Sequence, residues 1–146
     1  MNHINIMSLT KDDIEQKEEL SGWGNYPKIK AIKRKPKSIE ELKKYLINNS
    51  CIGRGNGRSY GDSSINKHNT IDMTNFNRFL HFNEKDGLLI AQSGVLLNDI
   101  IKIFTPQGWF PHVTPGTKFV TLGGMVASDV HGKNHHKKGS FRNFIK

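Results

Sequence analysis

Apolar positions in this chain come in short runs divided by glycine, asparagine and proline, and the runs alternate between two periods. Ile39, Leu42, Tyr45 and Leu46 recur at helical spacing behind Ser38, and Glu41 three residues on completes a capping box. The pattern predicts a helix over 38–49, ending at Asn48-Asn49-Ser50. A second, short helix is predicted over Asn98–Phe104, entered near Val95–Leu97 and stopped before Pro106-Gln107-Gly108. Ala31–Lys35, Cys51–Gly53, Thr70–Met73, Phe79–Phe82 and Leu88–Ser93 read as strands, the last two flanking an Asp86-Gly87 turn. Met125, Val126 and Ala127 suit a small-residue helix. The sum is an α+β fold of small mixed sheets with flanking helices. Residues 1–21, with the mixed-charge run Lys11–Glu19, read as an irregular lead-in or short helix, and the folded domain as 22–146.

Composition narrows the picture. At 146 residues and 35% hydrophobic content, the chain is one domain at most. The net charge of +9 raises nucleic acid as a partner, yet the densest cluster, Lys28–Lys37, alternates basic and apolar positions as a solvated sheet face does and lacks interleaved aromatics. Nucleic acid is therefore not expected. A positive field still favours a dianionic cofactor and a phosphorylated substrate. The single cysteine, Cys51, excludes a disulfide framework and a cysteine zinc site, and reads as a small buried apolar residue. No signal peptide or run of about 18 apolar residues is seen, so a cytoplasmic location is the default.

Chemistry concentrates in Gly53-Arg-Gly-Asn-Gly-Arg-Ser-Tyr-Gly-Asp62. Alternating glycines let consecutive N–H groups turn inward around an anion, and two guanidinium groups add donors. The loop is neither a P-loop, since Arg58 replaces the lysine and the spacing is short, nor a Rossmann fingerprint, since Tyr60 stands at the third glycine. A second backbone-donating segment runs through Pro115-Gly116-Thr117 and Thr121-Leu-Gly123-Gly124 to Ser128-Asp-Val130-His131-Gly132-Lys133-Asn-His135-His136.

Taken together these motifs resemble the FAD-binding, PCMH-type domain of the vanillyl-alcohol oxidase flavoenzymes, from about Gly22-Trp23-Gly24 onward. Within it they look most like the branch that oxidises decaprenylphosphoryl ribose. That resemblance implies an FAD-dependent oxidoreductase acting on a sugar hydroxyl, an N-terminal portion of a longer enzyme, and a substrate domain supplied elsewhere, by later residues or a second chain. It implies that Gly53, Arg54, Gly55, Asn56, Gly57, Arg58, Ser59 and Tyr60 pass the pyrophosphate. Gly116, Thr117, Thr121, Gly123, Gly124, Ser128, Val130, His131 and Gly132 would complete the cofactor site. Lys133 and Tyr60, with His131, would face the substrate. Covalent members carry a histidine where Arg58 stands, so FAD is expected to be non-covalent. A lipid-linked sugar substrate would be compatible with peripheral membrane association.

Three alternatives stay open: a sugar-lactone or alditol oxidase, a basic nucleic-acid module, and an inactive truncation. His131, His135 and His136 invite a metal, but Gly132 weakens a helix there and Lys133, Lys137 and Lys138 repel a cation. No metal site is assigned, and His135 and His136 read as a hydrogen-bonded turn. No general base is identified. A side chain at Gly57 is expected to block approach of the pyrophosphate.

Overall fold

The computed structural model describes residues 17–47 and 50–146. The lead-in over 1–16 and the predicted helix end at 48–49 lie outside the described residues. Four strands, β1 (Lys17–Leu20), β2 (Ile29–Arg34), β3 (Ile52–Arg54) and β4 (Thr70–Asp72), form a sheet in the order β1-β2-β4-β3. β1 runs antiparallel to β2, whereas β2, β4 and β3 are parallel. Where a lead-in was expected, Lys17–Leu20 is therefore a strand. The cause is tertiary: its ladder with β2 buries Leu20 and sets Glu18 and Glu19 against Lys33 and Lys28, at 2.6 and 3.5 Å.

β2 also departs from a solvated strand. Ala31 and Ile32 are both buried, so both sheet faces are covered at that point. Two of its neighbouring lysines are ion-paired with β1 instead of forming an open basic face. Helix α1 (Ile39–Leu46) starts where expected: Ser38 Oγ accepts from Glu41 N. The reciprocal bond of the box goes one residue further back, from Lys37 N to Glu41 Oε2 at 2.7 Å. The helix stops at Leu46, and Cys51 is half-buried, not fully buried as its apolar character suggested.

Parallel neighbours need a long connection, usually helical. Between β3 and β4 residues 55–69 provide it as a loop, which leaves the glycine-rich segment at the carboxyl end of β3. Carboxyl ends of parallel strands are where ligands bind in open α/β sheets.

A second layer is built by the antiparallel pair β5 (Phe79–Asn83) and β6 (Leu88–Ala91) against α2 (Leu97–Phe104). Val95, Ile100 and Phe104 form its core with Phe79, Phe82, Leu89 and Trp109 around them. Phe82 lies 4.5 Å from Phe104 and 5.7 Å from Trp109, the latter edge-on. Gly87 turns the hairpin at φ +69°, and a Cβ there would sit 2.4 Å from the Trp109 ring.

α2 has no side-chain cap. Its first free donors are taken by backbone: Leu97 N bonds Val120 O at 3.0 Å and Asn98 N bonds Lys118 O at 2.8 Å. Leu96 pairs with Thr121, and Leu122 N bonds Val95 O. The second glycine-rich segment is thereby tied to the entry of α2. Beyond it come α3 (Leu122–Ala127) and the single-turn α4 (His135–Lys138).

Candidate flavin site

The loop after β3 rests on Arg54. Its Nη2 donates to Ser21 O at 2.7 Å and its Nη1 to Ser64 Oγ at 3.0 Å. Burial pulls its pKa below the usual arginine value, opposed by the carboxylate of Asp72, its register partner on β4. Of the two guanidinium groups expected to meet a phosphate, this one is committed to the scaffold. Gly57, at φ +64°, lies against it, and a Cβ there would come 2.6 Å from Arg54 Nη2. The missing side chain at Gly57 therefore also makes room for Arg54, a contact inside the protein that the sequence does not reveal.

Gly22 backs the far side of the loop. Trp23 N donates to Ser59 O at 2.7 Å, and a Cβ on Gly22 would meet Ser59 O and Gly61 O at 2.5 Å. Ser59 Oγ continues the network to Ser64. Tyr60 projects outward, 75% exposed.

Both glycine-rich segments meet directly. Gly55 faces Thr121, whose Oγ1 would be 2.1 Å from a Cβ on Gly55, and Asn56 Nδ2 donates to Phe119 O at 2.9 Å. Thr121 is buried and its hydroxyl accepts from Gly124 N, capping α3. Thr117 Oγ1 accepts from Phe119 N, and Gly123 packs on Ser93 with a 2.7 Å bond to Ser93 O. These residues shape the wall through backbone and caps.

At the junction lies Arg58. Its guanidinium sits 4.7 Å above the Trp23 ring and 5.8 Å from the Phe119 ring. Its Nε is buried with no hydrogen-bond partner. A buried, unpartnered donor on a charged group is costly, so an acceptor belongs there. An anionic oxygen fits the donor, the charge and the aromatic walls.

Further along, Thr114, Pro115, Gly116, His131, Gly132 and Lys133 line an open cavity of about 580 Å³ with Asn134 and His135. Gly132 is required by close approach: a Cβ would be 2.7 Å from Thr114 O. His135 Nδ1 is 3.0 Å from Gly132 O, and the short turn of α4 carries it. His131 and Lys133 therefore share one cavity with Gly116, while Tyr60 is not in its lining. Val130 is half-buried and accepts from Phe141 N; Ser128 closes α3 on Gly124 O. Sequence reasoning missed Phe119 and the Thr114 carbonyl, since neither stands out by residue type or spacing.

With this geometry in place, the comparisons define the class. The family described as FAD binding domain matches residues 34–146, and the chain belongs to that family. Its motif-level likeness holds against particular relatives. Decaprenylphosphoryl-beta-D-ribose oxidase of Mycolicibacterium smegmatis is 43% identical over 96 residues, covering 65% of this chain and 21% of the relative. D-lactate dehydrogenase of Anaerostipes hadrus is 34% identical over 94 residues, covering 64% of this chain and 20% of the relative. The chain thus spans about a fifth of the length of these relatives. Among solved structures, an alkyldihydroxyacetonephosphate synthase superposes with a TM-score of 0.64 at 23% identity, covering 80% of this chain and 24% of that one. A variant of cholesterol oxidase from Brevibacterium sterolicum gives 0.68 at 15% identity, with the same coverage of each chain, 80% and 24%. The fold is that of the PCMH-type flavoenzymes. Among the described residues no helix is long and apolar enough to cross a membrane.

Proposed function

We propose that this chain is the FAD-binding portion of an oxidoreductase that converts a sugar hydroxyl to a ketone, on a pentose carried by a lipid phosphate. The observation that carries the cofactor half is the buried, unpartnered Nε of Arg58 between Trp23 and Phe119, where two glycine-rich loops meet. Arg58 supplies the donor and charge for a pyrophosphate oxygen, Gly55 and Gly57 let the loop fold tightly, and Arg54 holds its shape. FAD, when bound, supplies the hydride acceptor.

The substrate half rests on the 43% identity to the decaprenylphosphoryl-ribose oxidase and on the cavity. Lys133 has no ion-pair partner among the described residues, so its ammonium is available to a substrate phosphate. His131 borders the same cavity and is placed to orient the sugar hydroxyl. The remaining pocket walls come from outside these 146 residues, in the same polypeptide or a second chain. With Arg58 at the loop position where covalent relatives carry histidine, FAD is held non-covalently.

Gel filtration of the chain with added FAD, followed by acid precipitation, tests this. Yellow protein whose flavin is released into the acid supernatant is the expected result. Flavin left in the pellet would refute the non-covalent assignment. A folded protein that emerges colourless would refute FAD binding by this chain on its own.

A further inference from the structure

Helix α3 ends on a residue whose type the backbone does not favour. Asp129 N donates to Val126 O and Val130 N to Met125 O, both at 3.1 Å, the paired closing bonds of a helix end. They set Asp129 just past the helix in the left-handed region, at φ +41°. Glycine is the usual residue for that conformation, and a side chain there costs free energy. The chain has fourteen glycines, yet this position holds an aspartate. Stopping the helix therefore does not account for the side chain.

Its carboxylate does. Oδ1 accepts from Arg142 N at 2.9 Å, and Oδ2 accepts from Ser140 Oγ at 2.9 Å and from Arg142 Nε. Beside them Phe141 N donates to Val130 O at 2.9 Å. These bonds tie residues 129–130 to 140–142 and close the segment between them into a loop. That loop carries His131, Gly132, Lys133, Asn134 and His135, one wall of the cavity. Its far end is moored separately: Asn134 Nδ2 donates to His112 O at 2.9 Å, and Gly132 lies against Thr114 O. Asp129 itself does not line the cavity. With both oxygens engaged, it acts on the chain and not on a ligand.

We propose that Asp129 is a positioning residue, a carboxylate clamp that fixes where His131, Gly132 and Lys133 stand in the cavity. A loop held only at its tip can pivot about that point. The second fixing point at its base removes this freedom, so a ligand meets a wall already in place and does not have to order it on binding. The left-handed backbone at Asp129 is then the local cost of putting a carboxylate where it reaches Ser140 and Arg142. On the flavin reading proposed above, on which this consequence rests, releasing the base lets His131 and Gly132 shift and weakens the hold on FAD.

Asp129→Gly separates the two roles, because it relieves the left-handed backbone and keeps the helix stop while removing the clamp. In the unliganded variant the histidine ring signals of His131 and His135 are expected to move in proton NMR. Amide exchange at His135 and Phe141, which donate to Gly132 O and Val130 O, is expected to speed up about tenfold while that at Met125 and Ser128 in α3 stays as it was. FAD is expected to bind about fivefold more weakly or worse. Asp129→Asn keeps one acceptor oxygen and is expected to fall between the two. Unmoved ring signals and exchange in Asp129→Gly, exchange that quickens equally through α3, or FAD binding equal to that of the unaltered chain would each overturn the clamp. Ser140→Ala with Arg142→Met removes two of the three donors and leaves Asp129 in place, so it carries the same test if the glycine variant does not fold. The ring signals and amide exchange need no flavin. An unaltered chain that binds no FAD therefore sinks the cofactor reading alone, and the clamp stands or falls on them.

Discussion

Gly55→Ala tests whether the two glycine-rich segments are held together by direct contact. The added methyl would come 2.1 Å from Thr121 Oγ1 and 3.1 Å from both Thr121 Cβ and Cγ2, so Thr121 must move. It cannot move freely, because it is buried, bridges to Leu96 and caps α3 through Gly124 N. Overpacking of this kind costs about 1–3 kcal/mol, and loss of a threonine cap adds about 1 kcal/mol. A destabilisation of about 2–4 kcal/mol corresponds to a midpoint shift of about 1–2 M in urea. Thr121→Ala alone removes the cap for about 1–2 kcal/mol. In the double variant the obstructing hydroxyl and methyl are gone and the cap is counted once. Its destabilisation is expected to fall short of the sum by about 1 kcal/mol or more, the range for residues in contact. Urea unfolding of the four proteins, followed by circular dichroism, measures the cycle. Strict additivity, or an unchanged midpoint for Gly55→Ala, would refute the contact argument.

Arg58→Met removes the unpartnered donor together with the guanidinium over Trp23, so FAD affinity is expected to drop about tenfold or more while the urea midpoint falls only by the ~0.5–1 kcal/mol of a cation–π contact; Trp23 fluorescence quenching reads the binding. Arg54→Met removes bonds to Ser21 O and Ser64 Oγ, and is expected to destabilise the fold by about 2 kcal/mol, measured by the same unfolding assay. Gly57→Ala combines a φ of +64° with a contact on Arg54 and is expected to cost about 1–2 kcal/mol; an unchanged midpoint contradicts the scaffold role. Asp129 accepts from Arg142 N, the Arg142 side chain and Ser140 Oγ, which lowers its pKa from the ordinary 3.8. Its hold on residues 140–142 is therefore fully present above that value and lost as pH falls through the lower folded value. Amide hydrogen exchange at Arg142 is expected to accelerate over that acidic window, and Asp129→Asn to abolish the pH dependence.

Local signals made several elements readable. Ser38 and Glu41 fix the start of α1 because a cap needs only nearby atoms, although the reciprocal bond settles on Lys37 N. Asp86-Gly87 marks the β5–β6 turn because only glycine adopts its φ without strain. Strand β1 was illegible for the opposite reason: Lys17–Leu20 has no strand pattern, and its ladder and ion pairs exist only once β2 lies beside it.

The candidate site divides the same way. Glycines, arginines and their order lie in the sequence itself, and the resemblance they carry suffices to point to a flavin-binding family. Which arginine is the strut and which the donor is decided by distant partners, Ser21 and Ser64 for Arg54, Trp23 and Phe119 for Arg58. Thr121 reads in the sequence as a cofactor hydroxyl, and the fold adds what the sequence does not show, that its Oγ1 accepts from Gly124 N and stands against Gly55. Residue type sets what a side chain can bind, but burial and the neighbours that satisfy its polar atoms decide what is left to bind with, and those arrive only with the tertiary structure.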